Sequence, residues 1–263
     1  MNLKISQSFL KEFSKYLQGK ACGLQVKAKY IDKIPFPKDS PVLDLGNYFE
    51  FMATGSLPRN GIVPSPVYVY KGTAKERLSP DYERANASAD FFLKTIQHYG
   101  IEILDKSVDI TVGKKTGILD LVTKFKERIA IVDLKYSGLL EDRWNELGWD
   151  TESLPYKDNI MVQSIHYVML LAEKMEIPYT EVDFYFFVFN SKDEKDAKIV
   201  KVNLDEDAFE SHNEAIENVY HEVVVKKHKF KAKPKLSTCN SCPLLDCKER
   251  ATFPMIENVY YSI

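Results

Sequence analysis

No run of apolar residues in this 263-residue chain approaches the length of a membrane span. Nor does Met1-Asn2-Leu3-Lys4 lead into a signal-peptide pattern. The two absences predict a cytoplasmic protein with no membrane partner. Excess positive charge is lacking too: 36 Lys and Arg against 38 Asp and Glu leave a formal net charge of −2. The whole-chain charge therefore does not mark a nucleic-acid binder, and any phosphate contact has to come from local clustering. There is no internal repeat and no flexible linker, so residues 1–263 read as a single domain. Cysteine is scarce: Cys22 stands alone, and Cys239, Cys242 and Cys247 crowd together near the C-terminus. In a cytosolic chain such crowding points to a metal or cluster site more than to disulfides.

What is present is an ordinary globular composition, 44% hydrophobic and 28% charged. Ile5, Phe9, Phe13, Tyr16 and Leu17 fall near helical spacing and predict a helix over 3–18, with Ser6 or Ser8 as cap and Lys11, Lys15 and Lys20 on the other face. Pro35, Pro37 and Pro41 mark a loop. Residues 43–54 predict a short helix with Glu50 in its middle, 55–80 an irregular excursion and 81–98 a helix. Three strands are expected over 99–112, 116–125 and 129–136, the last two forming a hairpin across Lys126-Glu127-Arg128. Residues 138–158 read as a loop or partial helix in which Trp144 and Trp149 anchor the chain, with guiding of a strand end as the alternative. A helix over 159–175, a buried strand over 182–190, its hairpin partner over 197–202 and a charged helix over 205–219 follow. The order predicts an α/β fold, a mixed central sheet flanked by helices. A helical N-terminal region (about 1–45) and a basic, Cys-rich C-terminal region (about 223–263) are expected to close on this core.

Two acids sit inside apolar strands: Asp120 in Gly117-Ile118-Leu119-Asp120-Leu121-Val122, and Asp133 in Ile131-Val132-Asp133-Leu134-Lys135-Tyr136. A carboxylate in such surroundings is costly to bury unless a cation meets it. Side chains two apart on a strand share a face, so Asp133 and Lys135 point the same way. Asp120, Asp133 and the Leu134 backbone carbonyl offer oxygen ligands of the kind Mg²⁺ prefers. Lys135 is then placed to orient a water or steady a charged phosphate. A strand-end ion pair of Asp133 with Lys135 or Lys124 explains the same residues.

Gly117-Ile118-Leu119-Asp120, then Val132-Asp133-Leu134-Lys135, then Gln163-Ser164-Ile165-His166-Tyr167 together resemble the PD-(D/E)XK nuclease superfamily, in particular its RecB-like branch. The resemblance implies a restriction-endonuclease-like core and a metal-dependent DNA nuclease, an exonuclease serving recombination, repair or phage-type DNA processing. It implies that Asp120 and Asp133 bind Mg²⁺ or Mn²⁺, that Lys135 is catalytic, and that Gln163 and Tyr167, on one helical face, orient the site or the DNA backbone. That branch places a histidine on an early helix, after a glycine. Here Gly46-Asn47-Tyr48-Phe49-Glu50 occupies the place, similar to the phage-type exonucleases, and makes Glu50 the candidate further ligand ahead of His98.

Several RecB-like nucleases hold an iron–sulfur cluster with one N-terminal and three C-terminal cysteines. Cys22, Cys239, Cys242 and Cys247 are similar, with the last gap one residue shorter. Four thiolates suit a [4Fe–4S] cluster or Zn²⁺; free thiols are the alternative. Lys226, Lys227, Lys229 and Lys231, with Lys233, Lys235 and Phe230, are candidates to follow DNA, or form a solvated connector. Recombination or repair proteins are the expected protein partners. Two other readings stand beside the nuclease: an inactive nucleic-acid-binding module of the same fold, and a zinc-stabilised interaction protein with structural acids.

Overall fold

The structure of the chain, a computed structural model, describes residues 3–36, 40–58, 61–71, 74–141, 148–149, 157–235, 239–240 and 242–251. A five-stranded sheet forms its centre: β3 (Glu102–Val112), β4 (Lys115–Phe125), β5 (Arg128–Ser137), β6 (Val182–Asn190) and β7 (Ala197–Val202), side by side in that order. β5 and β6 run parallel and every other neighbouring pair is antiparallel. Parallel pairing needs a crossover, which α5 (Asp158–Met175) supplies. The β4–β5 hairpin closes through Lys126 (φ 48°) and Glu127 (φ 66°), both left-handed, the backbone that matches the twist of its strands.

β6 is apolar on both faces, and both faces are covered. Phe184, Phe186 and Val188 pack with α5 in one layer; Phe187 and Phe189 pack in the other with α3 (Pro41–Thr54) and α4 (Pro80–His98). Burying each such ring contributes about 1.5–3 kcal/mol, so β6 carries much of the fold's hydrophobic stability. α6 (Glu206–Tyr220) lies outside α5, with Phe209 in the first layer. A third cluster joins α1 (Gln7–Leu17) and α2 (Gly23–Tyr30) to the end of α6: Phe9, Phe13, Val26 and Tyr30 meet Ile216, Val219 and Val223.

Ser6 caps α1, accepting from the Phe9 amide at 3.3 Å. Leu17, expected on the apolar face of α1, is exposed instead, at the last position of the helix. β3 starts at Glu102 and not at Tyr99, since Tyr99 and Gly100 (φ 62°) still close α4. The stretch 55–80 is not wholly irregular: β1 (Tyr68–Lys71) and β2 (Ala74–Leu78) form a separate antiparallel hairpin. The charged helix ends in one π-helical turn, His221–Val225. Trp149 is buried against Phe186, ring centroids 5.1 Å apart, which anchors its segment as expected; Trp144 lies outside the described residues. No helix among the described residues is long and apolar enough to cross a membrane.

Candidate active site

The β4–β5 ladder runs from Phe125 opposite Arg128 to Leu121 opposite Val132 and stops there. Asp120 and Asp133 are the next residues on the two strands. On the other side of β4, Lys106 pairs with Leu121 and Val108 with Leu119, and the register leaves out Ser107 and Asp120. Ser107 is left-handed (φ 49°), an uncommon backbone for a residue other than glycine. The strand turns over at this point. Leu119 packs in the α5 layer, Leu121 in the α3–α4 layer and Val122 again in the α5 layer. Asp120 thus sits at a break in the ladder, where the loss of regular pairing re-aims its side chain.

Released, Asp120 turns to β5: its Oδ2 accepts the Leu134 amide at 2.9 Å. Asp133 is 1% exposed. Its Oδ1 accepts from Gln163 Nε2 at 2.6 Å, and the Lys135 ammonium lies against Oδ2. That ion pair, the expected structural alternative, is therefore present; Lys124 pairs with Glu127 instead. Oδ2 of Asp133 accepts no well-directed hydrogen bond, and it is buried. Tyr167, one turn beyond Gln163, is buried beside Gly117, where a Cβ would stand 3.1 Å from its Cε1 and 2.8 Å from Leu170 Cδ1. Glycine at 117 lets α5 lie close on β4 and so brings Gln163 to Asp133.

Burial raises the Asp120 carboxyl well above the usual carboxylate range, and the charges of Asp133 and Glu50 raise it further. Burial raises Asp133 as well, against the pull of Lys135. Burial also draws the Lys135 ammonium down, but Asp133 and Asp120 outweigh it and hold it above the ordinary lysine range. Lys135 is a cation at neutral pH and not a proton acceptor. Three acids that repel one another beside one lysine fit a divalent cation, since added positive charge relieves both repulsion and desolvation. Among the described residues, no three such groups already converge at metal-ligand distances.

Glu50 is half-buried on α3, and its charge acts on Asp120. His98 is exposed at the end of α4, its ring against Tyr99. Sequence spacing gave no sign of a buried pair behind the site. His166 Nδ1 lies 3.0 Å from His212 Nε2, and His166 Nε2 lies 3.1 Å from the Thr116 carbonyl. A carbonyl only accepts, so Nε2 of His166 carries its proton, and His212 Nε2 must donate to Nδ1.

The four cysteines line one small cavity with Leu24, Pro234 and Arg250. None is in a disulfide. Two sulfurs receive backbone amides, Cys22 from Lys233 and Cys239 from Ala251, each at 3.4 Å. The lysines at 226, 227, 229 and 231 are exposed, and Lys226 pairs with Glu222. Phe230 is not presented to a base. It stacks on Tyr16 of α1 (5.7 Å, 29°), whose hydroxyl also meets His228 Nε2 at 3.1 Å.

Among curated proteins no relative matches. A solved structure of a candidate exonuclease from Eubacterium rectale is similar over 97% of this chain and 91% of its own, with a TM-score of 0.63 at 16% identity. The structure of SSO0001 matches over 63% of this chain and 68% of its own at 11% identity, and its TM-score of 0.32 supports no conclusion. The first likeness and the mixed sheet mark a restriction-endonuclease-like fold. The PD-(D/E)XK nuclease superfamily model matches residues 68–247, from β1 through the last cysteine, and the chain belongs to that superfamily.

Proposed function

We propose that the protein is a Mg²⁺- or Mn²⁺-dependent DNA nuclease of the RecB-like or phage-type kind, acting as an exonuclease in recombination, repair or phage-type DNA processing. The observation that carries this reading is the meeting of Asp120, Asp133 and Lys135 where the β4–β5 ladder ends, with Gln163 of α5 bonded to Asp133. The exonuclease preference draws on the similar Eubacterium rectale structure, described as a candidate exonuclease.

Asp120 and Asp133 would hold the metal, with Glu50 and the Leu134 carbonyl as further oxygen donors. A divalent ion bound there supplies a Lewis acid and lowers the pKa of its water. Asp133 is oriented by Gln163, as metal-binding carboxylates are by their hydrogen-bond partners. Lys135, held charged by the two acids, would meet the phosphate that gains negative charge during attack. Tyr167 buttresses the helix that brings Gln163. The exposed lysines 226, 227, 229 and 231 would contact the DNA backbone.

The chain reads as one domain in which the two terminal regions close through the cysteine cavity. A [4Fe–4S] cluster at the four thiols that line one cavity is part of this reading, with Zn²⁺ as the alternative; among the described residues no three of them already converge at metal-ligand distances. Protein purified without oxygen should be brown and contain iron; colourless, iron-free protein refutes the cluster.

The nuclease test uses end-labelled single- and double-stranded DNA with Mg²⁺ or Mn²⁺. Wild type should cleave and Lys135→Ala should not. Equal cleavage by both would sink the assignment.

A further inference from the structure

Lys106 lies outside the group just described, on β3, which contributes no residue to it. Its partner in the ladder is Leu121, next to Asp120. Paired residues share a face, and Leu121 faces the α3–α4 layer, so Lys106 points at α3. Its Nζ donates to the Thr54 carbonyl at 2.6 Å. Thr54 is the last residue of α3 and is buried. Its hydroxyl donates to the Glu50 carbonyl at 2.8 Å. The next residue, Gly55, is left-handed (φ 73°) and stops the helix. Lys106 therefore caps the carbonyl end of the helix that bears Glu50, one turn beyond Glu50 itself. A cation is favoured at that end of the helix dipole.

Glu50 acts on Asp120 from α3. Several attachments fix α3 over the sheet, among them the contact of Phe49 with Phe189 of β6 (5.2 Å). In its middle, Phe49 stacks on Tyr136 of β5 (4.7 Å, 13°). At its end the attachment is Lys106. β3 thereby grips both partners of one separation: it pairs with the strand of Asp120 through Leu121 and holds the helix of Glu50 through Thr54. The turnover at Ser107 is what makes this possible. Val108, two residues on, faces the α5 layer, so a regular strand would send Lys106 there as well.

We infer that Lys106 is a positioning residue: through the Thr54 carbonyl it holds Glu50 in place to complete a divalent-cation site with Asp120. This rests on the metal-dependent reading above. It assigns a use to a residue that touches neither metal nor substrate.

The test is Mn²⁺ binding to the full-length protein by isothermal titration calorimetry, without DNA, together with the Mn²⁺ concentration that half-saturates cleavage. Lys106→Met should weaken Mn²⁺ binding about three- to tenfold, less than the about 10–100-fold seen for direct partners of metal ligands. Lys106→Arg, which keeps a donor and a charge, should restore it. Glu50→Gln should weaken binding at least as much, and Lys106→Met added to Glu50→Gln should cost nothing more, since both act through one group. None of these substitutions alters the Phe49–Tyr136 pair, and urea unfolding of each checks the fold. If folding of Lys106→Met fails, Lys106→Gln decides by the same binding measurement. Wild-type affinity in Lys106→Met or Lys106→Gln, or additive losses with Glu50→Gln, overturns the inference while leaving the nuclease reading intact. Absence of Mn²⁺ binding by the wild type overturns both.

Discussion

Gln163 Nε2 donates to Asp133 Oδ1 across 2.6 Å, from the helix that crosses over to the strand that ends in Lys135. One buried carboxylate is thereby gripped from both sides, by an amide on Oδ1 and an ammonium at Oδ2.

Removing the amide should be felt in stability as well as activity. Gln163→Ala leaves Oδ1 of a 1% exposed acid without its donor, which costs about 1–3 kcal/mol. Urea unfolding in EDTA should show that loss, and cleavage should fall in parallel. Gln163→Glu should do worse on both counts, since it sets a third carboxylate against Asp133.

The acids themselves should be a burden to the metal-free fold. Asp120→Asn keeps an oxygen for the Leu134 amide and removes a charge that burial, Asp133 and Glu50 all disfavour. In EDTA the variant should be more stable than wild type by about 0.5–2 kcal/mol, while cleavage disappears. Excess Mn²⁺ should raise the wild-type melting temperature and leave that of the variant nearly unchanged.

Acid should loosen the α5–α6 contact. Burial, aided by the Lys115 charge, lowers His166 to about 4, and burial, aided by His166 and Lys115, lowers His212 to about 3, from an ordinary value of 6.5. Folded pKa values below the unfolded value mean stability that is complete above pH 6.5. It is lost as pH falls from there through about 4 and 3. Asp120 and Asp133, raised by burial, work in the opposite sense and favour the fold as they take up protons. Denaturation of wild type and of His166→Asn/His212→Gln across pH 3–8 separates the two: the double variant should be weaker at pH 7 but flatter below pH 6.5. A parallel acid limb would refute the role of the pair.

Gly117→Ala tests the seat of α5. The added Cβ would stand 2.8 Å from Leu170 Cδ1 and 3.1 Å from Tyr167 Cε1, so the helix must move. About 1–3 kcal/mol of stability should be lost, with a larger proportional fall in kcat as Gln163 withdraws from Asp133.

The sequence was most informative where one physical requirement acts on a whole segment. β6 has apolar residues on both faces because both faces are covered, and its bounds at Val182 and Asn190 are those read from the sequence. Gln163 and Tyr167 are one turn apart, so their common face was visible as soon as the helix was. α2 was not: its Gly-Leu-Gln-Val-Lys-Ala-Lys-Tyr has no continuous apolar stripe, and tertiary contacts of Val26 and Tyr30 with α1 and α6 hold it. The turnover of β4 was not visible either, because nothing in Lys106-Ser107-Val108 announces a left-handed serine. Nor was the His166–His212 bond, whose partners lie on separate helices. Phe230 looked available because its neighbours are lysines, yet Tyr16, far away in sequence, covers it.

The turnover at Asp120 has a consequence for how such an enzyme can be tuned. Leu121 on one side of Asp120 answers to the α3–α4 layer and Leu119 on the other to the α5 layer, so the acid is a pivot between two separately packed halves. A volume change in either half tilts the same carboxylate. In a random library selected for altered metal preference, beneficial changes should therefore arise in two unconnected patches of the interior, one on each side of the sheet.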